Sequence, residues 1–97
     1  MAAQTTQLRH RRCYHFSGRV QGVGFRYTVA ELAEKFDVRG YVRNLPDGRV
    51  ELVAEGDERE IARLLDRIGE RMEGFVRNRA DSDSPPTHEF DDFSIRR

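Results

Sequence analysis

The sequence has few of the residues that cross-link a chain or hold a metal ion. Cys13 is its one cysteine, so no disulfide can form within the chain and a site built from several cysteines is excluded. His15 lies two residues further on, but two ligands are too few for a closed zinc site, which normally has four. Packing is the favoured interpretation of Cys13 and His15, and we expect neither a bound metal nor another cofactor.

Long apolar runs are missing as well. No stretch approaches the roughly 20 apolar residues that a membrane-spanning helix needs. The first residues, Met-Ala-Ala-Gln-Thr-Thr-Gln-Leu, lack the apolar centre of a secretory signal. We therefore expect a cytoplasmic protein with no membrane partner. Residues 1–8 are interpreted as a flexible tail and residues 9–97 as a single domain, expected to be monomeric.

An excess of charge of one sign is also absent. Lysine and arginine together number 17, and so do aspartate and glutamate. The protein as a whole therefore creates no net field that would attract nucleic acid or an anionic membrane, and we expect no nucleic-acid partner. All but one of the basic residues are arginine, whose planar, permanently charged group suits phosphate and carboxylate. Any positive potential that attracts a ligand must be local.

Apolar residues recur with a period of two in some segments and at helical spacing in others. They predict strands at 13–17, 38–45, 50–55, 75–79 and 90–95, and helices at 27–36 and from Asp57 to the exit at Gly74. Pro46-Asp47-Gly48 is a turn sequence that joins the second and third strands in a hairpin. Residues 81–87 are interpreted as a polar surface loop, and 90–95 as an edge strand.

Two local details of this pattern carry further expectations. Asp57 is expected to cap the second helix, with the Glu60 side chain reaching back in a capping box. The third strand alternates as in a sheet that is covered on one side, with one face formed by Val50, Leu52 and Ala54 and the other by Glu51 and Glu55. Val53 does not fit this alternation.

The order β-α-β-β-α-β with a further short C-terminal strand predicts an α+β protein with a ferredoxin-like sandwich. In this arrangement an antiparallel sheet carries two helices on one face. Enzymes, metal carriers and RNA-binding proteins share it, so the fold alone does not fix the function.

The segment Gly18-Arg-Val-Gln-Gly-Val-Gly-Phe-Arg26, called here the glycine loop, lies between the first strand and the first helix. Glycines allow positive φ and let successive backbone N–H groups converge on an anion. The N–H groups expected to do so belong to Val20, Gln21, Gly22, Val23, Gly24 and Phe25. A helix N-terminus adds partial positive charge, and Arg26 adds a guanidinium group in the first helical turn. The spacing matches neither the Walker pattern nor the dinucleotide fingerprint.

The glycine loop and a second segment resemble a known family. Gly18-Arg-Val-Gln-Gly-Val-Gly-Phe-Arg-Tyr27 and Gly40-Tyr-Val-Arg-Asn-Leu-Pro-Asp-Gly48 are similar to the two signature segments of the acylphosphatase family. The resemblance implies a ferredoxin-like fold and metal-independent hydrolysis of the carboxyl-phosphate bond in small acyl phosphates. It further implies that Arg26 binds the phosphoryl group and that Asn44 positions the attacking water.

Simpler interpretations exist for the same residues. Arg26 alone could form a surface salt bridge, and Asn44 alone could be a turn-forming residue. Arg19 and Arg43 are expected to remain solvated, and the tyrosines Tyr27 and Tyr41 to pack or to line a rim.

Two other functions stay open. One is a noncatalytic module that binds phosphate or carbamoyl phosphate in the glycine loop. The other, an RNA-binding module, is disfavoured by the neutral net charge and by the absence of an RNP1 aromatic motif.

Overall fold

A computed structural model describes residues 9–97. The tail expected over residues 1–8 lies outside the described residues. In chain order the elements are β1 (Arg9–Gly18), α1 (Phe25–Ala33), β2 (Val38–Asn44), β3 (Val50–Asp57), α2 (Glu58–Arg71), β4 (Val76–Ser84) and β5 (Phe93–Arg96). This order confirms the predicted β-α-β-β-α-β arrangement with an additional C-terminal strand.

The strands form one five-stranded sheet in the order β4-β1-β3-β2-β5. Three of its pairings are antiparallel, but β5 runs parallel to β2. The predicted antiparallel sheet is therefore confirmed for β1 to β4, and the additional C-terminal strand β5 makes it a mixed sheet. The reason is the segment after β4, which crosses the sheet from one edge to the other before β5 begins. The backbone carbonyl of Asp92 accepts a hydrogen bond from the Gly40 N–H at 3.0 Å, which fixes the start of β5 beside β2.

Both helices pack on one face of the sheet, called here the inner face. The helices contribute a stripe of buried residues at helical spacing, comprising Phe25, Val29, Leu32 and Ala33 from α1 and Ile61, Leu64, Leu65 and Ile68 from α2. The strands contribute Tyr14, Phe16, Val42, Val50, Leu52 and Ala54. This arrangement confirms the ferredoxin-like sandwich.

The opposite, outer face carries a smaller apolar cluster. Val53, Tyr41 and Phe90 are buried there, and Cys13 packs against them. The expectation of a sheet covered on one side is therefore incomplete, because the segment before β5 covers part of the outer face. Val53, which did not fit the alternation, belongs to this second cluster.

The helix ends differ in detail from the expectation. Helix α1 begins two residues earlier than predicted and gives way to a turn after Ala33. Asp57 caps α2 as predicted, since its Oδ1 accepts a hydrogen bond from the Arg59 N–H at 2.8 Å. The second half of the predicted capping box is wrong. Glu60 Oε1 instead accepts from the Asp37 N–H at 2.9 Å and so ties α2 to the start of β2.

The polar segment predicted as a loop over residues 81–87 is in part a strand. Strand β4 extends to Ser84 and pairs with β1, with Arg11 opposite Ser84 and Tyr14 opposite Asp81. It is an edge strand whose side chains are largely exposed. Polar residues can occupy such an edge, and they discourage pairing with another chain. Within the described residues, no helix has the length and apolar character needed to span a membrane.

Candidate active site

The candidate site lies at the end of the sheet where β1 leads into α1. Phe16 of β1 pairs with Val50 of β3, and Val50 pairs with Asn44 of β2. The glycine loop therefore emerges beside the end of β2. Gly22 and Gly24 have φ values of +79° and +78°, in the left-handed region that favours glycine. A Cβ at either position would meet nothing within 4 Å, so conformation rather than crowding requires glycine there.

Three side chains hold the glycine loop in place. Val20 and Phe25 are both 1% exposed and anchor its two ends in the core. The Gln21 Nε2 donates to the carbonyls of Leu45 at 2.8 Å and Arg49 at 2.9 Å, which ties the loop to the β2–β3 hairpin. The hairpin carries Asn44, so this contact fixes the loop relative to Asn44.

The backbone N–H groups of residues 20–25 share one property. Within residues 9–97, none of them donates to a backbone carbonyl. The first internal bond of α1 runs from the Thr28 N–H to the Gly24 carbonyl at 3.0 Å, so the earlier amides of the helix likewise donate to no backbone carbonyl of the described chain. Unpaired amides and a helix N-terminus together favour a bound anion.

Arg26 lies in the first turn of α1, as predicted. Its Nη1 donates a long, 3.5 Å hydrogen bond to the Arg96 carbonyl. In the part of the chain that the structure describes, no carboxylate lies within salt-bridge distance of Arg26. The salt-bridge interpretation of Arg26 therefore has no support, and its guanidinium is available to an anionic ligand.

Asn44 ends β2 and presents a buried oxygen. Its Oδ1 has no hydrogen-bond partner among residues 9–97. Leaving such an acceptor unpaired costs roughly 1–3 kcal/mol of stability. Buried polar groups in native proteins nearly always have a hydrogen-bond partner, so an unpaired one indicates a functional role or a bound water molecule. A water molecule or a ligand N–H or O–H can supply the missing donor.

One cavity brings these groups together. It has a volume of about 170 Å³ and is lined by Val20, Gly22, Gly24, Phe25, Arg26, Tyr27 and Asn44. This volume is roughly ten times what one water molecule needs. Of the predicted site residues, only Gln21 and Val23 do not line it. None of these lining residues carries a carboxylate, so the cavity suits an anion.

The arginines and tyrosines near the two signature segments lie in different surroundings. Tyr27 is 68% exposed at the rim of the cavity, whereas Tyr41 packs in the outer cluster. Both positions agree with the expected rim and packing roles. Arg19 lines a separate surface pocket. The Arg43 side chain is 43% exposed, in agreement with the expected solvation, and its Nε also donates to Glu51 Oε1 at 2.7 Å on the outer face.

Glu51 is the centre of a polar cluster that sequence reasoning missed. Its carboxylate accepts from Tyr41 Oη at 2.8 Å and from Arg43, and it lies 3.0 Å from His15 Nε2. Burial raises the pKa of Glu51, but the hydrogen bonds from His15, Tyr41 and Arg43 outweigh burial and lower that pKa overall. The sequence could have indicated this cluster through the predicted fold, because the pairing of β1 with β3 brings His15 opposite Glu51.

Comparison with known proteins agrees with this fold and these segments. The acylphosphatase family matches residues 13–95. An acylphosphatase from Acaryochloris marina is 40% identical over 81 residues, which cover 84% of this chain and 87% of that protein. The crystal structure of acylphosphatase from Bacillus subtilis superposes with a TM-score of 0.83 and 34% identity, covering 91% of this chain and 99% of that one.

A larger protein contains a similar unit. The crystal structure of full-length HypF in the phosphate- and nucleotide-bound form superposes with a TM-score of 0.78 and 26% identity. The match covers 90% of this chain but 12% of that one. The five-stranded sheet with two helices on one face thus defines a ferredoxin-like α+β protein. The chain belongs to the acylphosphatase family, and it is accordingly a hydrolase.

Proposed function

We propose that this protein hydrolyses the carboxyl-phosphate bond of small acyl phosphates, with the phosphoryl group held in the glycine loop. The observation that carries the proposal is the shared cavity of Asn44, Arg26 and the loop. Judged on residues 9–97, it combines amides that donate to no backbone carbonyl, a guanidinium without a carboxylate partner, and a buried oxygen without a donor. These are complementary to a phosphate group and to one water molecule.

Binding of the phosphoryl group uses the donors of the loop. In this proposal the amides of residues 20–25 and the forked guanidinium of Arg26 donate to the equatorial oxygens of the phosphate. Charge on these oxygens is what a phosphoryl-transfer transition state must have stabilised. Because Val20, Phe25 and the Gln21 side chain hold the loop in place, the donors need little rearrangement during the reaction.

Asn44 orients the nucleophile. Its Oδ1 accepts a hydrogen bond from water and aims the water oxygen at phosphorus, opposite the leaving carboxylate. A carboxamide performs this task without placing a negative charge beside the phosphate. An aspartate at this position would repel the substrate.

The reaction then balances without a protein nucleophile. The water oxygen forms a bond to phosphorus, the bond between phosphorus and the acyl oxygen breaks, and the carboxylate leaves with the electron pair. The water proton passes to a phosphate oxygen of the substrate, and the products are a carboxylate and inorganic phosphate. Because the leaving carboxylate is a weak base, the leaving group itself needs no proton donor. Neither a metal ion nor a cofactor enters this scheme.

The direct test is hydrolysis of benzoyl phosphate near neutral pH in the presence of a metal chelator. We expect turnover with release of benzoate and phosphate, and the same rate with and without the chelator. A rate that disappears with the chelator would contradict the metal-independent scheme. No turnover in either condition by folded protein would contradict the enzyme proposal.

The second candidate is a noncatalytic module that binds phosphate or carbamoyl phosphate. The similarity to HypF favours this second candidate. The match covers 12% of the HypF chain, so a similar unit forms one part of that larger protein. Binding of inorganic phosphate without turnover of benzoyl phosphate or carbamoyl phosphate would support the module. Turnover that depends on Arg26 would support the enzyme.

A further inference from the structure

The outer face of the sheet brings together three side chains of the kinds that hold transition metals. The ligand atoms of Cys13, His15 and Glu51 all lie within 4.8 Å of one another. Cys13 Sγ is 4.0 Å from His15 Nε2, and His15 Nε2 is 3.0 Å from Glu51 Oε2. All three residues are half-buried.

Strand pairing places these residues on one surface. Cys13 and His15 are two residues apart on β1, so their side chains point to the same face. His15 lies directly opposite Glu51 of β3. The site therefore rests on two central, paired strands rather than on a loop, and it lies on the face of the sheet opposite the helices.

The distances fit one metal ion. Two ligands of a tetrahedral zinc ion stand roughly 3.3–3.7 Å apart, as bond lengths of about 2.0–2.3 Å require. The observed separations of 3.0 and 4.0 Å fall on either side of that range. Small side-chain rotations therefore bring the sulfur, nitrogen and oxygen atoms to bonding distance.

The hydrogen bonds of Glu51 leave one of its oxygens directed at this position. Tyr41 and Arg43 both donate to Oε1, whereas Oε2 faces His15. Oε2 can therefore bind a metal while Oε1 keeps its two donors. Such contacts behind a ligating carboxylate orient it toward the ion. A thiolate, a carboxylate and a neutral imidazole also balance the two positive charges of Zn²⁺.

We propose that Cys13, His15 and Glu51 bind one divalent transition-metal ion of the Zn²⁺ class, with solvent in the fourth position. This inference goes beyond the proposed hydrolysis, which uses a different cavity and no metal. It also departs from the packing interpretation of Cys13 and His15, because that interpretation had only two ligands to consider.

Metal binding displaces one proton. The metal–sulfur bond forms as the Cys13 thiol loses its proton to solvent. The charged and polar groups near this thiol are Glu51, Arg11, Arg43 and Ser82. Because the sulfur binds the metal as a thiolate, the affinity should increase with pH.

The test titrates the full chain with Zn²⁺ in competition with a chromophoric chelator, and separately with Co²⁺. We expect one ion per chain at low micromolar metal, and a thiolate-to-Co²⁺ charge-transfer absorption. Cys13→Ser and His15→Ala should each weaken Zn²⁺ binding by at least tenfold and abolish or shift the Co²⁺ band. The matched control is His10→Ala, which removes a histidine on the same strand and should leave the affinity unchanged.

Two results would overturn the inference. One is the lack of stoichiometric binding and of the Co²⁺ band in the unmodified chain, a result that needs no variant to fold. The other is an unchanged affinity in both Cys13→Ser and His15→Ala. Benzoyl phosphate hydrolysis and the far-ultraviolet circular dichroism spectrum of each variant serve as folding controls. Hydrolysis is measured with chelator present, so it does not depend on a metal bound at this site. Absence of hydrolysis and absence of metal binding can therefore be distinguished.

Discussion

Two parts of the molecule present backbone amides and an arginine side chain as donors to an anion. One of them already holds a carboxylate of the protein, Glu55, whereas the other, the glycine loop with Arg26, holds no carboxylate of the described chain. Near the start of β1, the Glu55 carboxylate is 4% exposed. It accepts hydrogen bonds from the Thr87 N–H at 2.9 Å, the Thr87 hydroxyl at 2.8 Å, the His88 N–H at 3.0 Å and Arg11 Nη1 at 2.9 Å. At the other end of the sheet, the glycine loop and Arg26 offer backbone amides and a guanidinium to no carboxylate of the described chain.

The comparison contrasts the Glu55 carboxylate, which has a structural role, with the anion that we propose the glycine loop binds. Burial raises the pKa of Glu55, but the donors of Thr87, Arg11 and His88 prevail and lower the pKa to about 2. Its carboxylate therefore stays charged and fastens the segment after β4 across the outer face. His88, with φ of 59°, turns the backbone so that its N–H joins that of Thr87. We propose that the amides of the glycine loop converge in a similar way and that the anion they bind is the substrate.

The largest expected effect concerns Arg26. Arg26→Ala should lower kcat/KM for benzoyl phosphate by a factor that corresponds to at least about 2.7–4 kcal/mol, as loss of one oxyanion donor does elsewhere. Arg26→Lys should remain severely impaired, because lysine keeps the charge but loses the planar fork. Steady-state kinetics measures both.

Arg19→Ala is the matched control for Arg26. It removes an arginine of the same loop that lies outside the cavity, and its kcat/KM should stay close to that of the unmodified protein. Equal losses in Arg19→Ala and Arg26→Ala would show a general effect of positive charge. Unaltered turnover in Arg26→Ala would contradict the site.

Asn44→Ala should produce the next largest effect, and a different kind of effect. Misplacing the attacking water should reduce kcat by about 10²-fold. Inorganic phosphate should inhibit this variant almost as well as the unmodified protein, because the phosphate oxygens are proposed to bind the loop and Arg26 rather than Asn44. Measuring kcat together with the phosphate inhibition constant separates the two roles. A parallel collapse of phosphate affinity would place Asn44 among the phosphate ligands instead.

At the Glu55 site, the substitution Glu55→Gln should affect stability rather than catalysis. Replacing the charged acceptor weakens its hydrogen bonds and should lower the free energy of unfolding by roughly 1–3 kcal/mol. Benzoyl phosphate turnover should be unchanged at temperatures where the variant is folded. Urea unfolding provides the measurement, and Glu58→Gln, at an exposed carboxylate nearby, should change stability by less than about 1 kcal/mol.

The same site predicts a pH dependence. The Glu55 pKa is about 2 in the folded protein and 4.5 in its ordinary state, so the unfolded chain takes up this proton first as the pH falls. The stabilisation is complete above pH 4.5 and is lost as the pH falls toward 2. The stability gap between the unmodified protein and Glu55→Gln should narrow by about 1–2 kcal/mol from pH 7 to pH 3. A constant gap would contradict the depressed pKa.

The smallest expected effect concerns the attachment of the glycine loop. Gln21→Met removes the donors to Leu45 and Arg49 while keeping the length of the side chain. We expect phosphate affinity to fall by a few-fold, equivalent to about 1 kcal/mol, with a small loss in stability. Gln21→Ala should behave alike, since the amide donors and not the side-chain length matter. A larger loss in Gln21→Ala than in Gln21→Met would assign the effect to packing.

Local sequence patterns were sufficient for much of the fold and for the location of the site. The alternation in β1, the apolar stripes of the helices and the turn at 46–48 each depend on neighbours in sequence. The glycine loop likewise combines its conformation, its donors and Arg26 within nine consecutive positions. Asn44 is distant in sequence, but the hairpin pattern placed it at the end of a strand.

The features that were missed depend on contacts between distant parts of the chain. Glu55 looked like an exposed residue of β3, yet its donors Thr87 and His88 lie more than 30 positions away. The polar residues of β4 became a strand because β1 offered a free edge for pairing. Glu60 bonds to Asp37 rather than to its own helix start. No local pattern contains the partner in any of these cases.

The most direct test of the central comparison is a phosphate titration of ¹⁵N-labelled protein followed by NMR. We expect saturable shifts of the amide signals of residues 20–25 and of the Asn44 side-chain amide, while Thr87 and His88 remain unchanged because Glu55 occupies their donors. In Arg26→Ala the loop shifts should require much more phosphate. Shifts at Thr87 and His88 equal to those of the loop, or no saturable shift in the loop, would contradict the account.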